Sequence, residues 1–141
     1  MELTSKLATF FAGRQEVVAA YLFGSRAEGV ARGNSDTDIA VLLDEGVRDT
    51  FDYRMKVADE LERLVKTPVD LVLLRDAPLL LQFQILKNGK IVFERDADQR
   101  AFYQMKVLGK YYDYRRFFDF HSKFLRQAIK ERGLGFGHAG N

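Results

Sequence analysis

An α/β fold is predicted from three features of this 141-residue sequence. Two short apolar runs, residues 17–23 and 36–43, have the length and composition of buried strands. Between residues 47 and 66 the apolar period changes to that of a helix. Residues 96–132 contain no proline and a single glycine, so they extend as one long helix, or as two joined near Gly109 and Lys110.

The elements follow in order. Leu3, Leu7, Phe10 and Phe11 recur at helical spacing across residues 2–13, and Gly13 is a stop signal. Residues 17–23, Val-Val-Ala-Ala-Tyr-Leu-Phe, read as a strand buried on both faces. Gly24 ends it, Ser25 stands where an N-cap would open a short helix through Ala27 and Glu28, and residues 31–35 are turn-like. The second strand, residues 36–43, enters the core after two acids. In the 47–66 helix, Phe51, Met55, Ala58, Leu61 and Val65 form the expected inward stripe, with Arg54, Asp59, Glu62 and Arg63 among the solvated remainder. A third strand covers residues 69–74 and carries an acid, Asp70. Asp76 and Pro78 announce a short apolar helix over 79–86, Asn88-Gly89 a turn, and residues 90–94 a fourth strand. Residues 1–95 thus form a core, 96–132 a helical extension of the same domain, and 133–141, with its glycines, a flexible tail.

Composition narrows the function classes. With 47% apolar and 30% charged residues the chain is an ordinary soluble domain, and a net charge of +2 does not call for nucleic acid. There are no cysteines, which removes disulfides, thiolate metal sites and cysteine nucleophiles. Glu2 comes early, no long apolar leader region follows, and residues 17–23 are too short to cross a bilayer as a helix. A cytoplasmic protein away from the membrane is expected.

The chemistry is concentrated in residues 24–43. Asp36 and Asp38 are two apart on a strand, so their side chains share a face. Adjacent carboxylates disfavour each other's ionisation, and a hard cation such as Mg2+ relieves that by bridging carboxylates to substrate phosphates. Gly24-Ser25, just upstream, could cradle phosphate through backbone N–H groups. Taken singly, each piece has a plainer reading: Asp36 as a turn cap, Asp38 in a surface ion pair, Asp70 as a cap or an arginine's partner.

Gly24-Ser25, ten intervening residues and Asp36-Thr37-Asp38 together resemble the nucleotidyltransferase signature of the DNA polymerase beta superfamily. The short form, with Arg26 after Gly-Ser and Ser35 before the first acid, is most similar to the minimal nucleotidyltransferases, which are paired with HEPN-domain proteins in toxin–antitoxin systems. The resemblance implies a small mixed sheet backed by helices. It also implies a third carboxylate on the neighbouring strand, and Asp70 is the acid in that setting. By this resemblance Asp36, Asp38 and Asp70 are the catalytic residues and the ligands of two Mg2+ ions. Gly24 and Ser25 hold the phosphates of ATP, and Arg26 adds a phosphate contact or a surface ion pair. Gly29 and Gly33 are loop residues. Glu28 stands where many members carry Arg, a departure that leaves the carboxylates untouched. The implied function is that of an antitoxin that transfers AMP from ATP to a tyrosine hydroxyl of its HEPN toxin. The alternatives are a non-catalytic antitoxin acting by occlusion and an aminoglycoside-type transferase acting on small molecules.

The C-terminal extension points to a partner. Nine of the eighteen aromatics lie between Phe102 and Phe124, covering more than one helical face, interleaved with Lys106, Lys110, Arg115, Arg116, Lys123 and Arg126. Tyr, Phe and Arg are enriched in interface cores. A HEPN toxin bound through this helix is expected, with self-association, an internal core and a stacking platform for single-stranded nucleic acid as the alternatives. Arg116 and His121 superficially match the Arg-x4-6-His motif of HEPN ribonucleases, but a helical i, i+5 pair points in different directions, and His121 is read as an ordinary helix histidine.

Overall fold

The computed structural model describes residues 2–24, 36–48 and 51–132. Four strands, β1 (Val17–Phe23), β2 (Thr37–Leu43), β3 (Val69–Leu73) and β4 (Lys90–Glu94), form one sheet in the order β3-β2-β1-β4. The sheet is mixed: β1 runs antiparallel to β2 and β4, while β2 and β3 are parallel. Helices α1 (Leu3–Ala12) and α2 (Phe51–Val65) cover one face, and α3 (Leu79–Asn88) and the start of α4 (Ala97–Arg132) cover the other. No described helix is long and apolar enough to cross a membrane.

Both faces of the central strands are buried, as their unbroken apolar composition requires. Val17, Ala20, Leu22, Ile39 and Val41 meet Leu7 and Phe11 of α1 and Val57 and Leu61 of α2. Val18, Tyr21, Ala40 and Leu42 meet Phe83 and Ile85 of α3 and Tyr103 and Val107 of α4. Arg95, immediately after β4, ties the layers together: its guanidinium donates to the carbonyls of Phe11, Ala12, Arg14 and Val17 at 3.0–3.2 Å, bridging the end of α1 and the start of β1.

Three boundaries differ from the sequence reading. Helix α2 starts at Phe51, because residues 44–47 form a turn closed by Val47 N–H to Asp44 C=O at 3.2 Å, with Gly46 at φ 90°. Its inward face is also rotated: Val57 and Leu61 are buried, whereas Phe51 and Met55 are 68% and 53% exposed. Tyr53 sets that rotation, donating its hydroxyl to Glu16 at 2.6 Å. Leu74 leaves β3 for a 3-10 turn, Leu74–Asp76, and α3 runs on to Asn88. Residues 97–132 form one continuous helix through Gly109. The short helix expected from Ser25, the turn at 31–35 and the tail at 133–141 lie outside the described residues.

Candidate active site

Register brings the acids together. Asp38, at the start of β2, lies opposite Phe23 on β1 and beside Asp70 on β3. Asp38 shares a face with Ala40 and Leu42, and Asp70 with Val72, so alternation directs both carboxylates to the side of the sheet that α3 and α4 cover. Asp36 stands exposed just ahead of the strand, Asp38 is half-buried and Asp70 is exposed. Thr37, between the two acids of β2, points the other way. It is buried, and its hydroxyl pairs with that of Thr67 at 2.8 Å, which pins the strand's entry. The Thr37 N–H donates to Pro68 C=O at 2.9 Å and Val69 N–H to Glu62 Oε2 at 2.9 Å, fixing where β3 begins beside it.

The electrostatics of Asp38 follow from this packing. Burial, then the charges of Asp70 and Asp36, push its carboxyl above the ordinary carboxylate range. Among the described residues no ion pair reaches any of the three acids. An accumulation of carboxylate oxygens of this kind suits a hard divalent cation and no softer metal. The described side chains do not by themselves form a closed group of three metal ligands.

Gly24 is shaped by the same carboxylate. Its φ is 72°, and a methyl group built on its Cα would fall on Asp38 Oδ2, far inside van der Waals contact. A residue with a side chain there would meet both left-handed backbone strain and a collision with the site. Ser25 and Arg26, the other expected phosphate contacts, are outside the described residues. Sequence reading missed the neighbourhood of Asp70: a cleft of about 250 Å³ along β3 is lined by Asp70 with Arg54 of α2, Asp76, Pro78 and Leu81. Arg54 read as one more solvated helix charge, and only the packing of α2 beside β3 distinguishes it.

Comparison with known proteins agrees with this fold. The family described as polymerase beta, nucleotidyltransferase matches residues 5–98. Over 93 residues the chain is 38% identical to the protein adenylyltransferase MntA of Shewanella oneidensis, an alignment covering 64% of this chain and 63% of that protein. It therefore spans just under two thirds of the length of the curated relatives it matches. A chain of a toxin–antitoxin crystal structure with AMP-PNP superposes with a TM-score of 0.69 at 28% identity, over 95% of this chain and 100% of that one. A chain from the complex of tri-AMPylated Shewanella oneidensis HEPN toxin with MNT antitoxin superposes with a TM-score of 0.61 at 26% identity, over 94% of this chain and 96% of that one.

Proposed function

This chain belongs to the polymerase beta nucleotidyltransferase family, and from that premise we propose that it is an antitoxin that transfers AMP from ATP to a tyrosine hydroxyl of a HEPN-type toxin. The observation that carries the reading is the pairing of Asp38 with Asp70 across β2 and β3, with Gly24 leaving room for the Asp38 carboxylate. The names of the relatives, a protein adenylyltransferase and an AMPylated HEPN toxin bound to an MNT antitoxin, support the acceptor class. The AMP-PNP complex supports ATP as donor. A cytoplasmic setting belongs to the same reading.

In this reading Asp36 and Asp38 hold two Mg2+ ions and Asp70 shares in holding one of them. Bound there, the metal supplies charge neutralisation at the phosphates. The chain's own groups do the rest. Gly24, Ser25 and Arg26 orient the triphosphate through backbone N–H groups and one guanidinium. The acceptor oxygen bonds to the α-phosphorus as the bond from that phosphorus to the bridging oxygen breaks, and pyrophosphate leaves with the electron pair. Asp70, exposed beside Asp38, takes the proton of the acceptor hydroxyl. The partner is engaged through the aromatic surface of α4.

Intact-mass spectrometry of the HEPN-type partner, co-expressed with the wild type or with Asp36→Asn/Asp38→Asn, tests the reading. Mass increments of whole AMP units are expected with the wild type alone, a loss of about 10³-fold or more in transfer corresponding to roughly 4 kcal/mol. A partner that is silenced and bound yet carries no added mass would leave an occluding antitoxin instead.

A further inference from the structure

Helix α4 leaves the core long before it ends. Tyr103 and Val107 are buried, and no later α4 residue is, among those described. From Tyr111 to Arg132 the helix continues for about 32 Å at ~1.5 Å per residue. Along it Tyr112, Tyr114, Phe117, Phe118, Phe120 and Phe124 are each 47–67% exposed.

This surface has a shaped part. Where α4 crosses the start of α3, Leu79, Leu80, Tyr111, Tyr114 and Phe118 line a mostly apolar groove of about 440 Å³. Tyr111 is held there by stacking on Phe83 with ring centroids 3.7 Å apart. Past Leu79 the groove opens into a second cleft of about 350 Å³, rimmed by Arg75, Lys106 and Lys110. The Tyr103 hydroxyl donates to Gln82 Oε1 at 2.5 Å in the wall of that cleft. Arg75 is fixed by a bond to Leu43 C=O at 2.9 Å and by the Tyr103 ring below it. Lys106 and Lys110 are one helical turn apart, a spacing at which like charges repel. Among the described residues none of the three cations has an acidic partner.

We propose that the groove between α3 and α4 docks an apolar helix of a partner protein, with acidic side chains at the end that meets Arg75, Lys106 and Lys110. This deepens the proposed partnership with a protein acceptor and rests on that reading only for the partner's identity. Charge selects the occupant. Residues 102–131 carry seven Lys and Arg against three acids, so a second copy of α4 would set like charges against like. A nucleic-acid strand is disfavoured because the apolar part of the groove carries Asp119 beside Arg115, one charge of each sign, and so offers a phosphate backbone no net attraction. The cationic rim of the dock is set apart from Asp38. Arg75 is bound at Leu43, five residues along β2 from Asp38, roughly 16 Å at ~3.3 Å per residue.

Two synthetic helices with the same leucine face, one with glutamates and one with lysines on its flanks, test the proposal by fluorescence anisotropy against the full chain. The acidic helix is expected to bind, and the basic one at least ten-fold more weakly. Lys106→Glu/Lys110→Glu reverses the preference, and Tyr114→Ala/Phe118→Ala weakens both helices by ten-fold or more, with unchanged circular dichroism. Asp36→Asn/Asp38→Asn leaves binding as it was. The proposal is overturned if the two helices bind alike or neither binds. Tight binding of a single-stranded oligouridine by the same residues overturns it too, as does a dimer in sedimentation that Phe118→Ala dissolves. A groove variant that still binds and adenylylates the HEPN-type partner sinks the dock and spares the enzyme. A wild type that binds the acidic helix but adds no AMP does the reverse.

Discussion

The carboxylate end of the sheet and the distal half of α4 are built on opposite terms. Asp38 is held by its neighbours on both sides, with Phe23 across one strand pair, Asp70 across the other and the backbone of Gly24 against its oxygen. Phe120 and Phe124, each 67% exposed, are held by their own helix alone. A polar group placed at a packed, crowded position, and apolar groups placed where nothing covers them, are both local costs in an isolated chain. The two regions therefore depart from self-sufficiency in opposite directions, and the proposed reading meets one with a cation and the other with a protein surface.

Stability should separate the two regions most sharply. Leu42 is fully buried between β1 and the α3 face, so Leu42→Ala removes contacts that the surrounding sheet cannot replace, at about 2–5 kcal/mol. Phe120→Ser removes a larger side chain, yet the folded chain should change by no more than about 0.5 kcal/mol. Urea titration of both variants checks this. A large loss for Phe120→Ser would mean that the distal helix is packed on something after all, and the contrast would collapse.

Next in size is Gly24→Ala. Adopting φ near 72° costs a residue with a side chain roughly 1–2 kcal/mol. The added methyl must also push the Asp38 carboxylate aside, and a displacement of that order lowers transfer by about 10²-fold. AMP incorporation measured alongside thermal unfolding distinguishes the two effects. Binding through the α3–α4 groove should not change. If transfer survives while stability falls, Gly24 serves the turn and not the carboxylate.

How far each region could be read from sequence follows from the same contrast. Strand alternation is a property of the chain itself, so a shared face for Asp36 and Asp38 was available from a period of two, whereas the place of Asp70 on the neighbouring strand, where register sets it beside Asp38, came from the resemblance to the nucleotidyltransferase signature. The helical character of α4 was legible too, although Gly109 left one helix or two open and the structure shows one. What failed were properties set by neighbours. The inward face of α2 was misassigned to Phe51 and Met55, because Tyr53 is anchored by Glu16, 37 residues away in sequence. Arg54 beside Asp70, and Arg75 facing Lys106 and Lys110, join residues from separate elements, and no spacing along the chain announces them.

The smallest expected effect concerns Asp38 itself. Burial and the charges of Asp70 and Asp36 raise its pKa above the ordinary 3.8 of a free aspartate. A carboxyl whose folded pKa exceeds its unfolded value binds more protons in the folded state, so stability falls as pH rises between those two values. The penalty is absent below about 3.8 and fully present above the folded pKa. Asp38→Asn in EDTA should therefore melt higher than the wild type at pH 7, with the advantage gone at pH 3.5. Added Mg2+ should raise the melting temperature of the wild type and leave that of Asp38→Asn unmoved. No pH-dependent difference, or an equal response of both chains to Mg2+, would mean that the three carboxylates do not act as one site. The cation-seeking half of the contrast would then be lost, while the α4 surface would keep its own account.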